Sequence, residues 1–318
     1  MINVTLQNFE SEVIAASMTT PVLIDFWAPW CGPCKALTPV LEKLETAYGG
    51  RFTLVKINSD DEQQLAGAFG IRSIPTCILM KGGQPVDGFM GALPEGQVRA
   101  FLDKHVPSEQ ALAAQEETHE AEALLEAGDT QAALGKLSQA LAADPANDEA
   151  RYELARLLIA EGQDAQARAT LAPALARIPL PLRFDALSRW LDALEFAQRD
   201  PRGAWSAAQF DALIAQNRRD FETRYAKSQV LMAQGQWTAA MDELLEIILR
   251  DKTWGEQAPR KAMVAILELL TPPAPQAGTQ TAGKSAGGIE LMGKAAMVQD
   301  PQAELVSAYR RKLSMALN

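Results

Sequence analysis

Val22-Leu-Ile-Asp-Phe-Trp-Ala-Pro-Trp-Cys-Gly-Pro-Cys-Lys35 sets two cysteines between an apolar, β-prone run and a segment with helical spacing. Val22, Leu23, Ile24, Phe26 and Trp27 predict a buried strand, and Leu37, Val40, Leu41 and Leu44 predict a helix over 35–47. Cys31 and Cys34 therefore fall at the strand-to-helix junction, where the backbone N–H groups and the macrodipole of a helix N-terminus favour a thiolate over a thiol. A free cysteine near pKa 8.5 is only a few per cent ionised at pH 7, whereas one lowered to about 7 is roughly half ionised. Cys31, nearer the helix end, is the expected nucleophile.

A Cys-X-X-Cys pair can also be half of a structural zinc site, which takes four ligands, usually from a second pair or from histidines. Only Cys77, His105 and His119 remain to supply them, and none forms a pair, so no metal and no cofactor is expected. The longer stretch carries more: Asp25-Phe-Trp-Ala-Pro-Trp-Cys-Gly-Pro-Cys-Lys35 resembles thioredoxin in its acid behind the site, its tryptophan before the first cysteine and its Gly-Pro between the two. That resemblance implies thiol-disulfide exchange, with Cys31 attacking and Cys34 resolving. Ile74-Pro75-Thr76 resembles the proline loop that faces the cysteine pair in thioredoxins, where the proline is cis and backbone groups stay free to pair with an extended substrate peptide. Trp30, Ile74, Pro75 and Gly91 are the substrate-binding residues it implies.

Asp25 has two readings on the residues alone. Buried without a partner, it would have a raised pKa and suit the group that takes the proton from Cys34 when that thiol attacks a mixed disulfide. Held by a neighbouring lysine such as Lys56, it would be structural. Asp25 is taken as catalytic. Cys77, in an apolar strand, is taken as a small buried core residue.

At 318 residues and 47% hydrophobic content the chain suggests about two domains. The start lacks a basic stretch followed by an apolar core, so no secretory signal is expected, and no run of 18 apolar residues predicts a membrane span. Three cysteines, two of them in a redox motif, fit a reducing cytoplasm. The net charge of −10 is uneven: residues 1–106 carry 8 basic and 11 acidic groups, 107–150 carry 1 and 10, and 151–318 carry 21 and 19. With no basic stripe to neutralise phosphates, nucleic acid is not an expected partner. The acidic block reads as a solvated helix face or as a docking surface for basic partners.

Residues 1–106 alternate strand and helix and close with two strands and a helix, the α/β pattern around a mainly parallel sheet. Beyond a linker at Val106-Pro-Ser108, with Ser108 as an N-cap, residues 107–270 are helical throughout. Ala121, Gly128, Ala133, Leu137, Ala140 and Pro145 recur 34 residues on as Ala155, Gly162, Ala167, Leu171, Ala174 and Pro179. Arg151-Tyr152, Gly162-Gln163, Ala167 and Leu171 return as Arg224-Tyr225, Gly235-Gln236, Ala240 and Leu244, with a degenerate repeat expected between, over roughly 182–217. This period resembles the tetratricopeptide repeat, so the expected fold class is an α/β thioredoxin fold followed by an all-α tetratricopeptide-repeat solenoid. The tract 271–299 reads as a mobile loop, and 300–318 as a C-terminal helix started by Asp300-Pro301, with a stripe of Leu305, Tyr309, Leu313 and Leu317 beside Arg310, Arg311 and Lys312.

A thioredoxin domain followed by tetratricopeptide repeats resembles the bacterial chaperedoxin family, with Gln84-Pro-Val-Asp-Gly-Phe-Met-Gly91 and Tyr309-Arg-Arg-Lys-Leu313 as family-like segments. The resemblance implies ATP-independent holdase activity joined to redox protection of unfolded or oxidised client proteins. It also implies hand-over to a chaperonin or an Hsp70 system and a thiol electron donor such as thioredoxin reductase or glutathione. Some family members lack the first cysteine, and others use a lone cysteine where this chain has Ser59; keeping both Cys31 and Cys34 points to reductase activity here. Two other readings are a non-catalytic adaptor that reuses the redox fold as a docking module, and a general protein-disulfide reductase whose repeats choose substrates. The final helix is either the contact for the ATP-driven chaperone or a cap on the last repeat.

Overall fold

The apolar run around Asp25 folds as the middle strand of a five-stranded sheet. In a computed structural model that describes residues 2–272 and 301–317, β1 (Ile2–Asn3), β2 (Val22–Trp27), β3 (Thr53–Asn58), β4 (Thr76–Lys81) and β5 (Gln84–Met90) lie in the order β1-β3-β2-β4-β5. β3 is parallel to β1 and to β2, whereas β4 is antiparallel to both β2 and β5. The sheet is thus mixed and not mainly parallel as the strand-helix alternation suggests. The turn at Gly82 and Gly83, both at positive φ, can join only antiparallel neighbours, and strand direction leaves no mark on a pattern of buried residues.

Alternation along β2 sorts the core into two faces. Val22, Ile24 and Phe26 meet Val55, Ile57 and Met80, with Leu65 of α2 (Gln63–Ala68) and Val13 of a π-helical turn (Glu10–Ala15) closing that side. Leu23 points the other way, to Leu54, Cys77 and Leu79. There Leu37, Leu41 and Leu44 of α1 (Gly32–Ala47) and Val98 and Leu102 of α3 (Glu95–His105) cover the sheet. By the same parity Asp25, Lys56 and Cys77 belong to the face that α1 covers.

The chain divides into two compact units, Met1–Glu117 and Thr118–Asn318, and the division falls inside α4 (Glu109–Glu126), whose Ala111 N–H donates to Ser108 Oγ at 3.0 Å. The second unit continues through α5 (Thr130–Ala143), α6 (Asp148–Ala160), α7 (Asp164–Leu175), α8 (Leu182–Arg199), α9 (Ala207–Gln216), α10 (Phe221–Ala233), α11 (Trp237–Ile248) and α12 (Trp254–Leu269). The repeat positions are where packing needs them. Ala121, Ala133, Leu137, Ala140, Ala155, Ala167, Leu171, Ala174, Ala240 and Leu244 are all buried, the small side chains letting helices approach closely. Gly128, Gly162 and Gly235 each end a helix at φ between 69° and 82°, the left-handed conformation that reverses the chain. The arginine repeat is also explained. Arg151 Nη1 donates to the Thr170 carbonyl at 2.8 Å, and Arg224 Nη1 pairs with Glu243 Oε2 at 2.5 Å, so both guanidiniums reach the equivalent position of the following helix. The expected degenerate pair is α8 and α9, joined through a 3-10 turn at Pro201–Ala204.

The last helix, α13 (Pro301–Leu317), is packed as a cap. Val306, Tyr309, Leu313 and Ala316 enter one apolar cluster with Leu244 and Ile248 of α11 and Met263 and Ile266 of α12, and Tyr309 Oη donates to Asp242 Oδ1 at 2.8 Å. Its basic residues stay exposed. The mobile-loop reading of 271–299 and the capping role of Asp300 fall on residues 273–300, which lie outside the described residues. Because α13 seals α11 and α12, Leu313→Ala should cost about 2 to 5 kcal/mol in urea unfolding of the full chain. An unchanged transition would mean that this apolar face is not part of the folded core.

Candidate active site

Cys31 is the N-cap of α1, in an extended conformation, and its Sγ accepts the Cys34 N–H at 3.1 Å. Gly32 and Pro33 fill the first turn, where proline forfeits no hydrogen bond because the N–H it lacks would be an orphan. Cys31 and Cys34 are joined as a disulfide, and both are buried. In the dithiol form the Cys34 N–H, the other free amides of the turn and the helix dipole all favour negative charge on Cys31 Sγ.

Ile74 packs against the small cluster of Ala28, Cys31 and Cys34, so the loop before β4 does face the pair. The Ile74–Pro75 bond is cis. Pro75 has its carbonyl occupied by the Gly91 N–H at 2.8 Å, with Gly91 at φ 84°, so Gly91 anchors the loop from the end of β5. The backbone N–H and C=O of Ile74 make no hydrogen bond among the described residues, so both groups are unpaired beside the disulfide. Trp30 is 70% exposed, and its Nε1–H donates to Asp60 Oδ2 at 2.8 Å, which fixes the ring on the surface beside Cys31. Met90, next to Gly91, is equally exposed. Of the other side chains named for a zinc site, His105 Nε2 lies 2.7 Å from Asp87 Oδ2, and Cys77 lies against Asp25.

Asp25 is not hydrogen-bonded to either cysteine of the pair. It lies in one rung of the sheet, with Lys56 of β3 on one side and Cys77 of β4 on the other, and is 1% exposed. Cys77 Sγ approaches Oδ1 at 3.9 Å, the length of a weak S–H···O bond, while Oδ2 is buried with no partner among the described residues. Burial pushes the carboxyl up to about 6; the Cys77 hydrogen bond and the Lys56 charge act in the opposite sense without cancelling it. Cys77 is itself pushed well above the usual thiol range, by burial first and by the Asp25 charge second, so it stays a neutral donor.

A Cys-X-X-Cys disulfide at a strand-to-helix junction, faced by a cis-proline loop, defines a thiol-disulfide redox domain. The thioredoxin family model matches residues 1–104, and tetratricopeptide repeat models match 110–191 and 202–280. Thioredoxin 1 of a Nostoc species is 46% identical over 103 residues, 32% of this chain and 94% of that protein. Thioredoxin of Haemophilus influenzae is 48% identical over 99 residues, 31% of this chain and 91% of its own length. The chain belongs to the thioredoxin family, and it extends that domain with a helical region of tetratricopeptide repeats.

Two residues near the site escape a reading of sequence alone. Asp60, in the turn after β3, positions Trp30, and Cys77 supplies the only hydrogen-bond donor to Asp25 among the described residues. The signal for Cys77 is the register that pairs it with Asp25, which becomes readable only once β2 and β4 are known to be neighbours.

The raised pKa of Asp25 has a consequence for stability. A carboxyl that binds its proton more tightly when folded contributes stability fully present below its ordinary value of 3.8 and lost as the pH rises through about 6. The gap corresponds to about 3 kcal/mol. Asp25→Asn should therefore stabilise the oxidised protein at pH 8 by up to about that amount and leave it nearly unchanged near pH 4, as chemical denaturation at the two values would read. Equal effects at both values would contradict a buried, titrating Asp25.

Proposed function

We propose that this chain is a cytoplasmic protein-disulfide oxidoreductase of the chaperedoxin type. In this reading the reduced pair attacks a client disulfide through Cys31, and Cys34 then attacks the mixed disulfide and gives its proton to Asp25. The observation that carries the redox half is the junction itself: a disulfide whose first cysteine caps a helix, beside an Ile74 backbone with both polar groups free. A client peptide can lie along Ile74 and Pro75, in van der Waals reach of exposed Trp30 and Met90, and present its sulfur to Cys31.

The second half of the reading concerns the repeats. Stacked helix pairs expose extended surfaces that hold unfolded chains, and the fusion of such a region to the redox domain supports an ATP-independent holdase that keeps oxidised clients near a reductant. Held clients would pass to an ATP-driven chaperonin or Hsp70 system. With the apolar face of α13 engaged in packing, the exposed Arg310, Arg311 and Lys312 are the side from which that helix would meet such a machine. Thioredoxin reductase or glutathione would return the pair to the dithiol. The intact cysteine pair speaks against a non-catalytic adaptor.

The two halves separate in one experiment on the full chain. Cys31→Ser should lose essentially all reduction of an accessible protein disulfide with a thiol donor, while still slowing aggregation of a heat-unfolded protein as the parent does. Retained reductase activity would overturn the role of Cys31; loss of both activities would overturn an independent holdase.

A further inference from the structure

Lys56, Asp25 and Cys77 stand side by side across β3, β2 and β4 on the face of the sheet that α1 covers, where the buried neighbours Leu23, Leu37, Leu41, Leu54 and Leu79 are apolar. A thiol fills a packed apolar position as a small hydrophobe and can still donate a weak hydrogen bond. Among the described residues its only acceptor is Asp25 Oδ1, at 3.9 Å, and the opposite oxygen, Oδ2, is the one left without a partner. We propose that Cys77 is a positioning residue for proton transfer at Asp25: its S–H holds Oδ1 and so turns Oδ2 toward the proton that leaves Cys34. This rests on the proposed role of Asp25 as the acceptor of that proton.

In the resolving step Cys34 Sγ bonds to Cys31 Sγ, the Cys31–client S–S bond breaks, and the client cysteine departs as a thiolate. The proton of Cys34 goes to Asp25, and Cys77 exchanges neither electrons nor its proton. A donor to Oδ1 favours the charged carboxylate, so Cys77 keeps Asp25 from rising further than burial alone would drive it, as does the Lys56 ammonium from the other side. The groups that bear on Asp25 are thus Lys56 from β3, Cys77 from β4 and, once reduced, Cys31 and Cys34 from α1. From α3 the buried residues on this face, Val98 and Leu102, are apolar, and its Lys104 and His105 are engaged by Asp87 of β5.

The test uses the oxidised full chain, in which Cys31 and Cys34 do not titrate, and follows the carboxyl of Asp25 by infrared or carbon NMR spectroscopy between pH 4 and pH 9. Cys77→Val removes the donor at similar volume and should move the midpoint about half a pH unit higher, a roughly threefold change in the ratio of neutral to charged acid. Cys77→Ser, which keeps a donor, should lie on the acid side of Cys77→Val, and Cys77→Ala replaces Val if valine overfills the site. In the reduced protein the pH profile of client-disulfide reduction should shift in the same order, and Cys77→Val should add nothing in an Asp25→Asn background. If Asp25→Asn removes the inflection but Cys77→Val and Cys77→Ser both coincide with the parent, Cys77 is only core and the proposal fails. If the inflection survives Asp25→Asn, the assignment of Asp25 itself fails, and this inference with it.

Discussion

A carboxyl group enclosed in an apolar sheet face, with one oxygen on a weak donor and the other on nothing, is the constraint around which the first unit is arranged. It lowers stability at neutral pH, and no packing role requires it, since a neutral residue of similar size would fill the same space. Its neighbours show how the cost is contained. Lys56 and Cys77 flank it in the sheet without neutralising it, so its pKa stays close to the range in which thiols and carboxyls exchange protons at physiological pH. The strand that carries Asp25 then runs directly into the helix that carries the disulfide. One local element thus carries Asp25, Cys31 and Cys34, the residues proposed as acid, nucleophile and resolving cysteine, and the cis-proline loop faces the pair.

The helical unit solves a different problem with the same economy of residue types. Alanines at the helix contacts and glycines at the turns recur because close approach and chain reversal recur, and the buried arginines bond to the next helix at equivalent positions. A stack of such pairs leaves an unsatisfied apolar face at its end. α13 covers it from the far side of a stretch of sequence that belongs to neither pattern, which is why the final helix is amphipathic and why its apolar face is already engaged.

Local patterns carried much of this. The apolar run, the cysteine spacing and the helical stripe after them are short-range features, and so is the 34-residue period, so both folds and the location of the site could be read from the chain. What depends on pairing could not. The direction of β4, the contact of Cys77 with Asp25 and the hold of Gly91 on Pro75 all follow from which strands are neighbours and in what register. The final helix shows the limit within one element. The stripe drawn at every fourth residue, Leu305, Tyr309, Leu313 and Leu317, does pack on this cluster, but Leu305 and Leu317 lie at its half-buried margin; the most buried face, Val306, Tyr309, Leu313 and Ala316, advances by three and four in turn, as 3.6 residues per turn requires.

The central claim is that one chain both engages unfolding proteins and exchanges disulfides with them through Cys31. The most direct measurement is trapping with the full-length Cys34→Ser variant under oxidative unfolding, followed by mass spectrometry of the linked peptides. The account predicts mixed disulfides to many unrelated clients, all through Cys31 and none through buried Cys77. Adducts mapped to Cys77, or a single dedicated partner in place of a broad set, would contradict it.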